Sequence, residues 1–153
     1  MTELDIFLRL LTASVAGALL GLDREMRGIS AGLRTHAMAS LSSAVIVVSS
    51  LLIHDQLIGA GETGIDPLRA IQGLAQAIGF IAAGAIFFAH GNVRNLTSAA
   101  NIWLAAGLGI AAGAGQYALV ALAVAFGVFI VTGLRFIERW MPGSEKSDRA
   151  PGD

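Results

Sequence analysis

The chain has 153 residues, 55% of them hydrophobic and only 14% charged, with 19 glycines, no cysteine and a formal net charge of −1. So few charges cannot clothe a soluble domain, which ordinarily carries about 25%, whereas a bilayer suits both the apolar content and the abundant glycine. The lack of cysteine excludes disulfides, thiolate metal sites and thiol catalysis, and the near-neutral balance supplies no basic field for nucleic acid.

The opening "MTELDIFLR" places Glu3 and Asp5 where a signal peptide would carry positive charge, so the first apolar segment is expected to stay in the mature protein. Residues 4–22 form the first predicted span, in which Arg9 can snorkel and pair with Asp5 one turn earlier. The insert "GLDREMRGISAGLRTH" follows, holding Asp23, Arg24, Glu25, Arg27 and Arg34 between two apolar stretches. If it begins helical, Asp23 and Arg27 stand at i, i+4 and can pair. Gly28 and Gly32 then break the helix and let the chain turn back. Residues 37–53, rich in serine, form the second span. The loop "HDQLIGAGETGIDPLR" offers His54, Asp55, Glu62 and Asp66. A solvated loop is the simpler reading, because the spacing matches no cation-binding loop. Asp66 before Pro67 reads as the N-cap of the third span, residues 67–89.

In that third span Arg69, Gln72, Gln76, Gly79 and Ala83 share one helical stripe. Glutamines facing lipid are costly, so the stripe is expected to face protein, through interhelical hydrogen bonds, or a water-lined cavity. Ser98 and Asn101 are its candidate partners. The fourth span covers residues 96–115 and its glycines allow a break within the membrane. The fifth covers residues 117–137, with Arg135, Arg139 and Trp140 as interfacial anchors. Each span approaches the ~20 residues that cross a ~30 Å hydrocarbon core.

The expected architecture is therefore all-α: a polytopic transmembrane bundle of about five spans over residues 1–140, with a disordered cytoplasmic tail at 141–153. With five spans, Arg24, Arg27, Arg34, Arg94, Arg135, Arg139, Lys146 and Arg149 fall on one side and only Arg9 and Arg69 on the other. The positive-inside rule then puts the C-terminus in the cytoplasm and the N-terminus outside. Topology needs neither Glu25 nor arginine in place of lysine. The insert is thus also expected to be a folded plug, with Arg24 or Arg34 forking onto Glu25 or a helix C-terminus. Small-residue pairs such as Gly17–Gly21, Ala75–Gly79, Gly109–Gly113 and Ala123–Gly127 serve packing within the bundle or self-association. No catalytic spacing is visible, and His36, His54 and His90 are scattered between segments, so the chain is expected to be neither an enzyme nor the holder of a cofactor or metal.

Three ordered blocks resemble the MgtC/SapB family. The first is matched at Gly21, Arg24, Glu25, Ala31, Gly32, Leu33, Arg34, Thr35 and His36. The second is matched at Asp66, Pro67, Arg69, Ile78, Gly79, Phe80, Ala83, Gly84 and Ile86. The third is matched at Val93, Leu96, Thr97, Ala99, Ala100, Trp103, Ala105, Ala106 and Gly109. Ala82, Asn95 and Ser98 depart from the family pattern, the first two replacing glycines. The C-terminal ACT-like domain of longer members has no counterpart in this sequence, so nothing that resides there transfers. The resemblance implies a multi-pass protein of the bacterial inner membrane, linked to growth in low magnesium and survival inside host cells. It also implies regulation through contact with other membrane proteins, the membrane part of the F-type ATP synthase among them. Membrane lipids and a second copy of the chain are the other expected partners. A channel or transporter for an ion or small solute is the competing reading. Candidate functional residues are Arg24, Glu25, Arg34, Thr35, His36, Asp66, Arg69, Gln72, Gln76, Thr97, Asn101 and Trp103.

Overall fold

A computed structural model describes residues 1–29, 31–89 and 92–134. The anchors Arg135, Arg139 and Trp140, the tail and His90 lie outside the described residues. Five α-helices follow in order: α1 Glu3–Met26, α2 Leu33–Gly59, α3 Arg69–Ala85, α4 Leu96–Gly113 and α5 Tyr117–Val128. The last continues into a π-helical turn, Phe129–Gly133, where Thr132 Oγ1 donates to the Val128 carbonyl at 2.7 Å. The helices α1, α2 and α4 are long and apolar enough to cross a membrane.

The helix ends follow from local chemistry. Thr2 and Asp5 form a reciprocal capping box at the start of α1. At its end Gly28 adopts φ +64°, and the Gly28 and Ile29 amides donate back to the Glu25 and Arg24 carbonyls, a Schellman closure. The second left-handed residue of this turn is Ala31, at φ +59°, and Gly32 stands at the N-cap of α2. Asp66 Oδ1 accepts the Leu68 amide at 2.9 Å, and the first turn after Pro67 closes with i→i+3 bonds, so α3 proper begins at Arg69. It ends at Ala85, earlier than the apolar run suggests, because Phe87–Ala89 and Asn92–Arg94 pair as two short antiparallel strands, with Phe87 opposite Arg94. Asn95 then takes φ +65°, where asparagine is the usual alternative to glycine, and its Nδ2 donates to the Ala85 carbonyl at 3.2 Å.

Close backbone approaches fix the helix directions. A methyl on Gly17 would strike the His36 carbonyl oxygen, and one on Gly21 would lie 2.7 Å from Leu33 Cα, so α1 and α2 are antiparallel. A methyl on Gly109 would strike the Ser40 carbonyl, and one on Gly113 would lie 2.9 Å from the Ala44 carbonyl, so α4 runs parallel to α2. The strand pair makes α3 antiparallel to α4, with the Gly79 side facing Trp103. Gly127 of α5 abuts Leu20 and Leu104. The core is thus a tight α1–α2–α4 unit, with α5 packed on α1 and α4, and α3 leaning chiefly on α4. Its buried residues are mostly small, among them Ala13, Ala16, Ala44, Ala105 and Ala112. Between helices in lipid there is little hydrophobic drive, so close van der Waals approach supplies the attraction. Of the small-residue pairs, Gly17–Gly21 and Gly109–Gly113 serve packing within the chain.

Candidate functional site

The ends of α1 and α2 and the start of α4 meet at one end of the bundle, and there the chain buries most of its polar interior. Arg24 is 1% exposed. Its Nε donates to the Ala31 carbonyl at 3.3 Å, and its Nη2 donates to Ser98 Oγ at the first turn of α4. One guanidinium therefore ties α1 to the turn that follows it and to a helix 74 residues later. The left-handed Ala31 is part of this device, since its carbonyl turns inward to meet the charge. Glu25 points the other way. It is exposed, and its Oε2 accepts the Leu33 amide at 3.0 Å, capping α2 from the preceding helix. Gly32 at the N-cap makes this reach feasible, because a Cβ there would fall on the Glu25 carboxylate. Asp23 and Arg27 pair at 2.9 Å on the outside.

Further into the bundle His36 and Ser40 are fully buried, and Asn101 is 5% exposed. His36 Nδ1 contacts the Gly32 carbonyl at 2.8 Å, which assigns the proton to Nδ1 in the neutral ring. His36 Nε2, Ser40 Oγ and Asn101 Nδ2 have no hydrogen-bond partner among the described residues. Ser43, equally buried, donates to the Ala39 carbonyl at 2.9 Å. The arrangement is a cationic, polar seam that locks three helices in register and leaves donor and acceptor capacity inside. Among the described residues no three His, Asp or Glu side chains gather as metal ligands.

Of the sequence-derived candidates, Arg24, His36 and Asn101 thus lie in the seam, and Glu25 lies beside it. Arg34, Thr35 and Thr97 are exposed around it, and Arg34 makes no ion pair among the described residues. The expected fork onto Glu25 is replaced by Arg24 on Ala31 and Ser98. Arg9, expected beside Asp5, instead donates from Nη1 to the Gly113 carbonyl at 2.5 Å, at the opposite end of the bundle, where the α4 C-terminus favours a cation. Asp66, expected as the N-cap of the third span, instead closes the turn before α3, whose N-cap position is Leu68, and Trp103 is half exposed against α3. The stripe Arg69, Gln72 and Gln76 points away from the bundle, because α3 uses Leu74, Ile78 and Ala82 to contact it. Ser98, its expected partner, is taken by Arg24. Ser40 and Ser43 were not singled out by sequence. The signal was present, since His36, Ser40 and Ser43 fall at i, i+4 and i+7 on a single face.

The sequence is similar to those of known proteins. The model of the MgtC family matches residues 10–140. YhiD of Escherichia coli K12 is 36% identical over 115 residues, covering 75% of this chain and 54% of that protein. MgtC of Salmonella typhimurium LT2 is 37% identical over 117 residues, covering 76% and 47%. An uncharacterised Haemophilus influenzae protein is 34% identical over 144 residues, covering 91% and 59%. The chain thus spans about half the length of YhiD and MgtC. No solved structure matches. The matched region takes in most of α1, the other four helices and the polar seam, and the chain belongs to the MgtC family of membrane proteins.

Proposed function

We propose that this chain is a multi-pass protein of the bacterial inner membrane, with its C-terminus in the cytoplasm, that regulates other membrane proteins by contact during adaptation to low magnesium. It is not an enzyme in this reading. The observation that carries it is the closure of the bundle interior. Where α1, α2 and α4 meet, backbones approach so closely at Gly17, Gly109 and Gly113 that even a methyl group would collide. The helix α4 runs unbroken through its glycines, and the glutamines of α3 face outward rather than lining a path. The surface is what this protein offers a partner. Magnesium enters through the relatives, since YhiD carries a provisional description as a magnesium transporter. The orientation rests on Arg24, Arg27, Arg34 and Arg94 at one end, against Arg9 and Arg69 at the other.

The competing reading, transport of an ion or small solute, draws on the unpartnered polar atoms of His36, Ser40 and Asn101 inside the bundle. Proteoliposomes loaded with a magnesium-sensitive dye separate the two. The regulatory reading expects influx equal to that of empty liposomes, from protein that still restores growth of a deletion strain at low magnesium. Influx above the empty control overturns it. Reporter fusions at Pro151 and within residues 27–32 should both report the cytoplasm; opposite sides would overturn the orientation.

A further inference from the structure

Among the described residues, the exposed polar stripe of α3 has no counterpart in the bundle to which the helix belongs. Gln76 stands one residue from the midpoint of Arg69–Ala85, and Gln72 lies one turn toward the start; both are exposed. The helix lies antiparallel against α4, a segment long and apolar enough to span, so both amides sit at its depth. Hydrocarbon offers an amide nothing to bond, and the penalty for two unpaired amides near mid-membrane is large. Something polar must cover this face.

We propose that it is covered by a second copy of the chain, α3 against α3, about a two-fold axis along the membrane normal. The argument is complementarity. An amide side chain carries both a donor and an acceptor, so it complements itself. Copies inserted with one orientation place each glutamine opposite its own equivalent at the same depth, as an isologous interface requires. Toward the aqueous end the stripe is also self-complementary in charge, since exposed Arg69 follows exposed Asp66 by three residues and a two-fold sets each within reach of the other in the second copy. Gly73 on this face has open space where a side chain would be, which lets a neighbouring backbone come close. The inference rests on the multi-pass placement proposed above but not on the regulatory reading.

The chain contains no cysteine, so single-cysteine variants need no prior engineering. Gly73→Cys and Phe80→Cys report on the α3 face, and Leu122→Cys, exposed on α5, is the control. In native membranes, mild oxidation should yield a disulfide-linked homodimer for the two α3 variants and only background for Leu122→Cys. Adding Gln72→Leu and Gln76→Leu together should weaken dimerisation in detergent, measured by energy transfer between labelled copies, roughly ten- to hundredfold. Both glutamines are exposed in the single chain, so an unchanged unfolding midpoint shows that the fold survives the change. If the α3 cysteines cross-link no better than Leu122→Cys, or chiefly to a different protein, and resist a membrane-impermeant maleimide, the self-interface is wrong while the membrane placement stands. If that maleimide labels Gly73→Cys and Phe80→Cys freely, α3 is bathed in water and both are wrong.

Discussion

Arg24→Lys keeps the positive charge of the insert and removes the planar fork. In the structure Arg24 is 1% exposed and donates from two different nitrogens, to Ala31 O and to Ser98 Oγ. A lysine ammonium at that depth lacks the fixed geometry to reach both acceptors. A net hydrogen bond to a charged group contributes about 1.5–3 kcal/mol, so losing one of the two should destabilise the fold by that amount. Burial leaves little solvent to screen the loss. Ser98→Ala removes the acceptor on α4 and should cost a similar amount. The double variant should cost less than the sum, with a coupling of about 1 kcal/mol or more, because both changes sever the same link. Arg34→Lys is the control, and being exposed it should stay within about 0.5 kcal/mol of the parent. Reversible unfolding in mixed micelles of mild detergent and SDS, followed by tryptophan fluorescence, gives all four values. The reasoning fails if Arg24→Lys and Ser98→Ala each shift stability by less than about 0.5 kcal/mol, or if their effects simply add.

Four further outcomes follow from the packing and the caps. Gly109→Ala should cost about 1–3 kcal/mol by the same assay, since the added methyl meets the Ser40 carbonyl. Two residues earlier on the same helix, Gly107→Ala meets nothing and should be neutral or stabilising by up to about 1 kcal/mol. Asn101→Leu should leave stability within about 1 kcal/mol, because it removes a buried donor that has no partner among the described residues; lost complementation with retained stability would then mark Asn101 as functional. Glu25→Gln should cost about 0.5–1 kcal/mol through the weakened cap on Leu33, measured as earlier SDS-induced unfolding and insensitive to changes at Gly109.

Much of this protein is legible without coordinates, for a simple reason. Helices in lipid must satisfy their own backbone, so a long apolar run reports its secondary structure and a run of charge reports its end. The five helices, the Asp23–Arg27 pair, the turn at Gly28 and the Asp66–Leu68 bond in the turn before α3 are all local properties, set by residues within a few positions of each other. Which arginine goes inside is not local. Arg24 and Arg34 have the same chemistry and similar neighbours, and the arrival of Ser98 and the inward carbonyl of Ala31 distinguish them. The stripe on α3 shows the same limit. Periodicity placed Arg69, Gln72 and Gln76 on one face of a helix, but which face meets the bundle depended on how Leu74, Ile78 and Ala82 fit against α4. A helical pattern defines faces relative to one another, and only packing assigns each face its neighbour.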